Sequence, residues 1–181
     1  MRALFAVGNN QLQYGYDYSS LENRIQGHYI YNYEGGPELA ETLLADKPND
    51  VHTINSKKLG ISRDNAKALT YALLYGAAAP KLQKMLDLDK EGAEKMYEDF
   101  WNSVLPLKMF RDDATKFWES TGKEYILGID GRKFHVRSAH SIVNLLFQSA
   151  GSLSMKYGVI LSSQMLEEQN YLGNLLEDSK E

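Results

Sequence analysis

Four side chains recur at a four-residue interval in the middle of this sequence: Arg63, Lys67, Tyr71 and Tyr75, with Gly76 directly after. Four residues advance a helix by about 400°, so successive members drift by only about 40° and all four share one stripe. The first turns carry two cations and the later turns two aromatic rings. A guanidinium and an ammonium suit phosphate oxygens, and a ring suits a sugar or a base. The stripe therefore reads as a surface for a polyanion with a planar part. A solvated amphipathic helix whose cations snorkel has the same spacing, and that alternative stays open. A second group of interest is Asp17, which ends a segment where Leu12, Tyr14 and Tyr16 alternate. A carboxylate at a strand end is well placed to hold a hard cation such as Mg²⁺. It could equally serve as a turn or N-cap residue. A third group is Asn144, Gln148 and Ser152, a polar line within an otherwise apolar helical segment. Buried amides need partners. Minor-groove acceptors of a base pair could supply them, and so could a neighbouring helix.

The elements that must carry these groups are readable from local signals. Ser62 is the expected N-cap of the striped helix, and Asp64 in its first turn suits the helix dipole. Ala66, Ala68, Leu69, Ala72, Leu73 and Leu74 give that helix its propensity and an apolar flank. Gln11–Ser19 predicts a strand and turn, followed by a helix starting at Ser19 or Ser20 in which Leu21, Ile25 and His28 share a face. A short helix is expected over Glu38–Ala45 with Leu39, Leu43 and Leu44 inward. Another is expected over Asp50–Gly60, capped by Asn49 or Asp50 and stopped by Gly60. Leu82–Thr121 reads as two or three amphipathic helices with Phe100, Trp101, Phe110, Phe117 and Trp118 in the core, and Pro106 ends one or starts the next. Asp130-Gly131 predicts a hairpin between Tyr125–Ile129 and Lys133–Val136. Ser138 is the expected cap of a helix over Ser138–Lys156 that buries Val143, Leu146, Phe147, Ala150 and Leu153 and continues through Val159–Asn170.

Composition narrows the class. The chain has 181 residues, 43% of them hydrophobic and 24% charged, and this fits a globular protein with one ordinary core. Its formal net charge is −4, which by itself disfavours a general nucleic-acid binder. The charge is unevenly spread, however. Lys57, Lys58, Arg63, Lys67, Lys81 and Lys84 face only Asp64 over residues 53–84, whereas the last seventeen residues are acidic. A local phosphate-binding surface requires such a concentration. The absence of cysteine excludes disulfides and thiolate metal sites. No apolar run reaches the roughly 20 residues needed to span a bilayer, so no membrane partner is expected and a cytoplasmic location is.

Three stretches, in order, resemble family A DNA polymerases. The pattern Arg-x3-Lys-x3-aromatic-x3-Tyr-Gly looks like that family's fingers helix, and RDNAK…Y…YG is closest to the phage replicative branch. DYSSLENRIQGH resembles the first catalytic motif. GRK-x-HVRS-x-H…N-x3-QSAG resembles the helix lying along the primer–template minor groove. The resemblance implies that Asp17 binds Mg²⁺, with the backbone carbonyl of Tyr18 as a further ligand. It makes Glu22 a steric gate where a ribose 2′-OH would go, a carboxylate that selects deoxy sugars by leaving no room. His52, from the D-x-H-T stretch, would touch the triphosphate. Arg63 would hold the γ-phosphate, and Lys67 would neutralise the triphosphate and act as general acid for departing pyrophosphate. Tyr71 would lie beside the incoming sugar, Tyr75 would stack at the templating position, and Gly76 would let the template backbone pass. Arg137, Asn144 and Gln148 would contact DNA.

The implied fold is α+β: a mostly helical fingers subdomain attached to a partial antiparallel palm sheet. The expected parts are a partial palm over 1–34, fingers over 35–137, a long helix returning to the palm over 138–170, and a frayed tail over 171–181. The implied reaction is template-directed DNA synthesis with dNTP and primer–template DNA as partners. The family's second catalytic strand carries a His-Asp-Glu motif, and no His-Asp dipeptide occurs in this sequence. The expectation is therefore a fragment that does not extend a primer alone, with a second polypeptide as a partner that could carry the palm strands. A single-subunit RNA polymerase shares Lys-x7-Tyr-Gly, but Glu22 and Tyr71 argue against it. A non-catalytic nucleic-acid-binding fragment is the other alternative.

Overall fold

The computed structural model describes residues 15, 17–46 and 50–168. Most of the strand expected over 11–19 lies outside the described residues, as does the whole of the tail expected over 171–181. The chain divides into two compact units. One is Ser20–Gly151, and the other combines Met1–Ser19 with Ser152–Glu181.

The Ser20–Gly151 unit is built from helices α1 (Leu21–Ile30), α2 (Gly36–Leu44), α3 (Val51–Leu59), α4 (Arg63–Leu74), α5 (Ala79–Leu86), α6 (Lys90–Ser103) and α7 (Leu105–Ser120). A hairpin of β1 (Tyr125–Leu127) and β2 (Lys133–His135) follows, then a 3-10 turn (Ala139–Ser141) and the start of α8 (Ile142–Glu168). Successive helices pack in pairs, α1 on α2, α3 on α4 and α5 on α6, while α7 closes against α1, α6 and β1. The fold is α+β and dominated by helices.

Local chemistry explains the helix starts that position the stripe. Asp50 caps α3, accepting from the amides of His52 at 3.0 Å and Thr53 at 3.2 Å. Ser62 caps α4 by accepting from the Asn65 amide at 3.1 Å. Each such cap satisfies a helix-end amide and stabilises by about 1 kcal/mol. Pro106 stands in the first turn of α7, so it starts that helix rather than ending α6.

The core of this unit is aromatic and branched aliphatic. Phe100, Phe147, Ile30, Leu69, Leu82, Leu107, Ile126 and Ile142 are its largest fully buried side chains. The rings of Tyr29, Phe110 and Phe147 form a cluster with centroids 5.0–6.0 Å apart. Such pairs add about 1 kcal/mol beyond the area they bury.

Several expectations need correction. Leu44 is 47% exposed and Phe117 40% exposed, and Phe117 is only partly covered by the Tyr125 ring, which it meets edge-on at 6.4 Å. Ser138 makes no side-chain cap. It precedes the 3-10 turn, and α8 proper starts at Ile142. The hairpin strands are shorter than expected. Asp130 and Gly131 sit inside a five-residue loop closed by Gly128 N–H to Arg132 O at 2.8 Å, not at a two-residue turn.

In the other unit, the described part is residues 15 and 17–19, which form no strand, and the later turns of α8. Tyr157, Val159, Ile160, Leu161 and Met165 of α8 are each more than half exposed there. Among the described residues, no helix is long and apolar enough to cross a membrane.

Candidate functional site

Within the Ser20–Gly151 unit, α4 holds the four-residue stripe and α1 and α3 supply its neighbours. Arg63 is half-buried and is gripped along one edge by Asp50. Its Nε donates to Oδ2 at 3.3 Å and its Nη2 to Oδ1 at 3.1 Å. Asp50 is 8% exposed and also accepts from the Thr53 hydroxyl at 3.0 Å. Burial alone would push its carboxyl up. The hydrogen bond from Arg63, those from Thr53 and the Arg63 charge outweigh that and bring it down to about 2.

His52 follows Asp50 and turns inward, with only 7% of its surface exposed. Its ring lies 5.8 Å from that of Tyr71. Its Nδ1 is buried without a hydrogen-bond partner. Burial lowers its pKa. The Asp50 charge opposes that, and the Arg63 and Lys67 charges add to it, so the imidazole is held neutral. Such a ring can donate one hydrogen bond to a phosphate but brings no charge.

Tyr71 stacks on Tyr75 at 6.3 Å, and the Tyr75 hydroxyl donates to Glu22 Oε2 at 3.4 Å. The other oxygen, Oε1, is buried without a partner. Burial raises the Glu22 carboxyl, with the Tyr75 hydrogen bond opposing. Both phenols are raised as well, by burial first and then by the Glu22 charge. Arg63, Asp50, His52, Tyr71, Tyr75 and Glu22 thus form one continuous line of contacts across α4, α3 and α1. Lys67 is exposed beside that line and makes no salt bridge to a described residue. Of the two cations of the stripe it is the more exposed.

The residues expected on DNA divide. Gly76 has φ +82° and sits against the chain itself. A Cβ there would run into the His140 backbone carbonyl, so an internal close approach demands glycine whatever passes outside. Arg137 and Gln148 are exposed. Asn144 is half-buried, and its Oδ1 has no partner. The amide line is therefore not buried as a whole. Val143, Leu146, Phe147 and Ala150 take the buried face of α8, and Gln148 turns to solvent.

Asp17 and Tyr18 belong to the other unit, and both are exposed. The Tyr18 ring seats on α8 at Gly158, where an added Cβ would lie 3.0 Å from two ring carbons. The carboxylate and the adjacent carbonyl are hard oxygen donors of the kind Mg²⁺ takes. Among the described residues no three His, Asp or Glu side chains gather into a metal cluster. Asp17 thus fits Mg²⁺ in donor type, as one ligand alongside phosphate oxygens.

With this arrangement in place, comparisons with known proteins become specific. The family model for DNA polymerase family A matches residues 1–176. The chain belongs to DNA polymerase family A. It is 31% identical over 176 residues to the DNA-directed DNA polymerase of Enterobacteria phage T3, covering 90% of this chain and 24% of that protein. The corresponding polymerase of Escherichia phage T7 matches with the same identity and coverage. The chain thus spans about a quarter of the length of these curated relatives. Among solved structures, the POL domain of Pol1 from M. smegmatis, in complex with DNA primer-template and dNTP, matches with a TM-score of 0.66 at 19% identity. That match covers 85% of this chain and 30% of the other. It supports the fold.

One residue of this family A chain escaped the sequence reading. Asp50 showed only as a cap, because nothing local announces its pairing with Arg63 thirteen positions on. The one available signal was an acid directly beside a region otherwise rich in unpaired cations.

Proposed function

We propose that this chain forms the nucleotide-holding part of a DNA-directed DNA polymerase that adds dNMP to a primer 3′-OH on a DNA template. The observation that carries the reading is the α4 stripe. Arg63 and Lys67 lead into the stacked pair Tyr71 and Tyr75, and the end of that stack is bonded to Glu22. Two cations suit a triphosphate, and the rings beyond suit the sugar and base.

In the reaction, the primer 3′-oxygen attacks the α-phosphorus, the bond to pyrophosphate breaks, and the 3′-hydroxyl proton passes to solvent water. Arg63 holds the γ-phosphate. Lys67 offsets charge on the triphosphate and gives a proton to the departing pyrophosphate. His52 donates a neutral hydrogen bond. Tyr71 lines the sugar, Tyr75 the templating position, and Glu22 excludes a 2′-hydroxyl. Asp17 and the Tyr18 carbonyl would hold Mg²⁺, which supplies charge stabilisation on the phosphoryl oxygens when bound. Arg137, Asn144 and Gln148, with the backbone at Gly76, are the proposed contacts to primer–template DNA. No residue of this sequence is assigned the reaction's second metal-holding carboxylate. The phage relatives favour the cytoplasm of an infected bacterium as the working compartment.

The test compares equilibrium binding of Mg²⁺-dGTP and Mg²⁺-GTP. The wild-type chain is expected to prefer dGTP, Glu22→Ala to narrow that preference, and Lys67→Ala to weaken both by about tenfold. Equal affinity for the two nucleotides, or binding indifferent to Lys67, overturns the reading.

A further inference from the structure

The pairing of Asp50 with Arg63 has a direction. A guanidinium carries five N–H donors in a planar fork. Asp50 takes two of them, one from Nε and one from Nη2, along the side edge of the fork. The end edge keeps one Nη1 proton and the second Nη2 proton, while the other Nη1 proton faces the Cδ side. That edge can still grip two oxygens of a tetrahedral anion side by side. Arg63 is not swallowed by the pairing, since 31% of its side-chain surface remains exposed against 12% for Asp50.

Asp50 is itself rigidly held. The α3 amides of His52 and Thr53 and the Thr53 hydroxyl all donate to it. It therefore joins the first turn of α3 to the first turn of α4. A long, rotamer-rich side chain is expensive to order when a ligand arrives, and a pre-formed brace removes much of that cost. The same carboxylate fixes the start of α3, whose second residue is His52, the other side chain expected to meet phosphate.

We propose that Asp50 is a positioning residue for the terminal phosphate of a nucleoside triphosphate, holding Arg63 by its side edge so that the end edge is presented to the γ-phosphate. This inference rests on the reading of the α4 stripe as a nucleotide site. Asp50 touches no substrate. It acts through Arg63, and its effect is confined to ligands that possess a third phosphate.

That restriction supplies the experiment. Affinities of Mg²⁺-dGTP and Mg²⁺-dGDP are measured for wild type, Asp50→Asn, Asp50→Ser, Arg63→Lys and Asp50→Asn with Arg63→Lys. Asn and Ser both remain good N-caps, so α3 keeps its start while the charged grip on Arg63 is lost. Circular dichroism and thermal melts verify that each variant is folded. The wild type is expected to favour the triphosphate. Both Asp50 variants should reduce the dGTP-to-dGDP affinity ratio by about tenfold with little change in dGDP binding. In the Arg63→Lys background, Asp50→Asn should reduce the ratio no further, because the two act as one unit. Equal weakening of dGTP and dGDP would mean that Asp50 only supports the fold locally, and overturns the proposal while leaving the nucleotide site standing. A larger ratio in Asp50→Asn would mean that Asp50 competes with the phosphate, and overturns it as well. A wild type that binds neither nucleotide overturns the nucleotide site and this inference together.

Discussion

The hydroxyl of Tyr75 donates to Glu22 across 53 positions of sequence, joining the C-terminal end of α4 to the first turn of α1. The residue read as a deoxy-sugar gate and the residue read as a template stack are thus in direct contact. Glu22 has one oxygen bonded and one buried with no partner. Its carboxyl is raised above the ordinary 4.5 by burial, more than the Tyr75 hydrogen bond lowers it.

The sign of the stability effect follows. A carboxyl that is harder to ionise when folded favours the native state at low pH. That contribution is complete below the unfolded value of 4.5 and is lost as pH rises through the higher folded value. Glu22→Gln should therefore raise the melting temperature at pH 7, and the gain should vanish below pH 4.5. Tyr75→Phe removes the donor and should push the Glu22 carboxyl further up. Thermal melts across pH and a carboxyl titration by NMR check both statements.

His52 gives the opposite pH behaviour. Its pKa is lowered from 6.5 by burial, so protonation favours the unfolded chain. Stability is complete above 6.5 and falls as pH drops through that value toward the lower folded one. His52→Phe keeps a ring against Tyr71 and removes the partnerless Nδ1. The variant should be at least as stable as wild type at pH 7, and the part of the acid-side loss that begins near 6.5 should disappear. Urea unfolding at pH 7.5, 6 and 5 is the measurement. A wild-type profile flat across that range would contradict the buried neutral imidazole.

Gly76→Ala tests whether this glycine is demanded by the fold. Its φ of +82° disfavours a side chain, and the His140 carbonyl occupies the place of the added methyl. The substitution should cost about 2 kcal/mol or more, since the obstacle is the His140 backbone and not the loose end of a flexible side chain. Chemical denaturation without any nucleic acid is the relevant assay. A neutral outcome there would return the glycine's role to an external ligand.

The sequence by itself determined the helices and the stripe. Caps at Asp50 and Ser62 are local side-chain-to-amide bonds, made within three residues, and need no distant partner. The spacing of Arg63, Lys67, Tyr71 and Tyr75 puts them on one stripe as soon as α4 forms. Burial of Phe100, Trp101, Phe110 and Trp118 follows from their helical period. Only the tertiary structure decided which partners those residues meet. Asp50 reaches Arg63 and Tyr75 reaches Glu22 because α3 and α1 pack beside α4, and periodicity carries no information about contacts between separate elements. The same holds for Gly76, whose constraint is a carbonyl from residue 140, and for Gln148, which the packing of α8 turns outward while its neighbour Phe147 is buried. Local bonds fix the elements, whereas burial against a distant segment fixes each side chain's neighbours and hence its ionisation and its availability to a ligand.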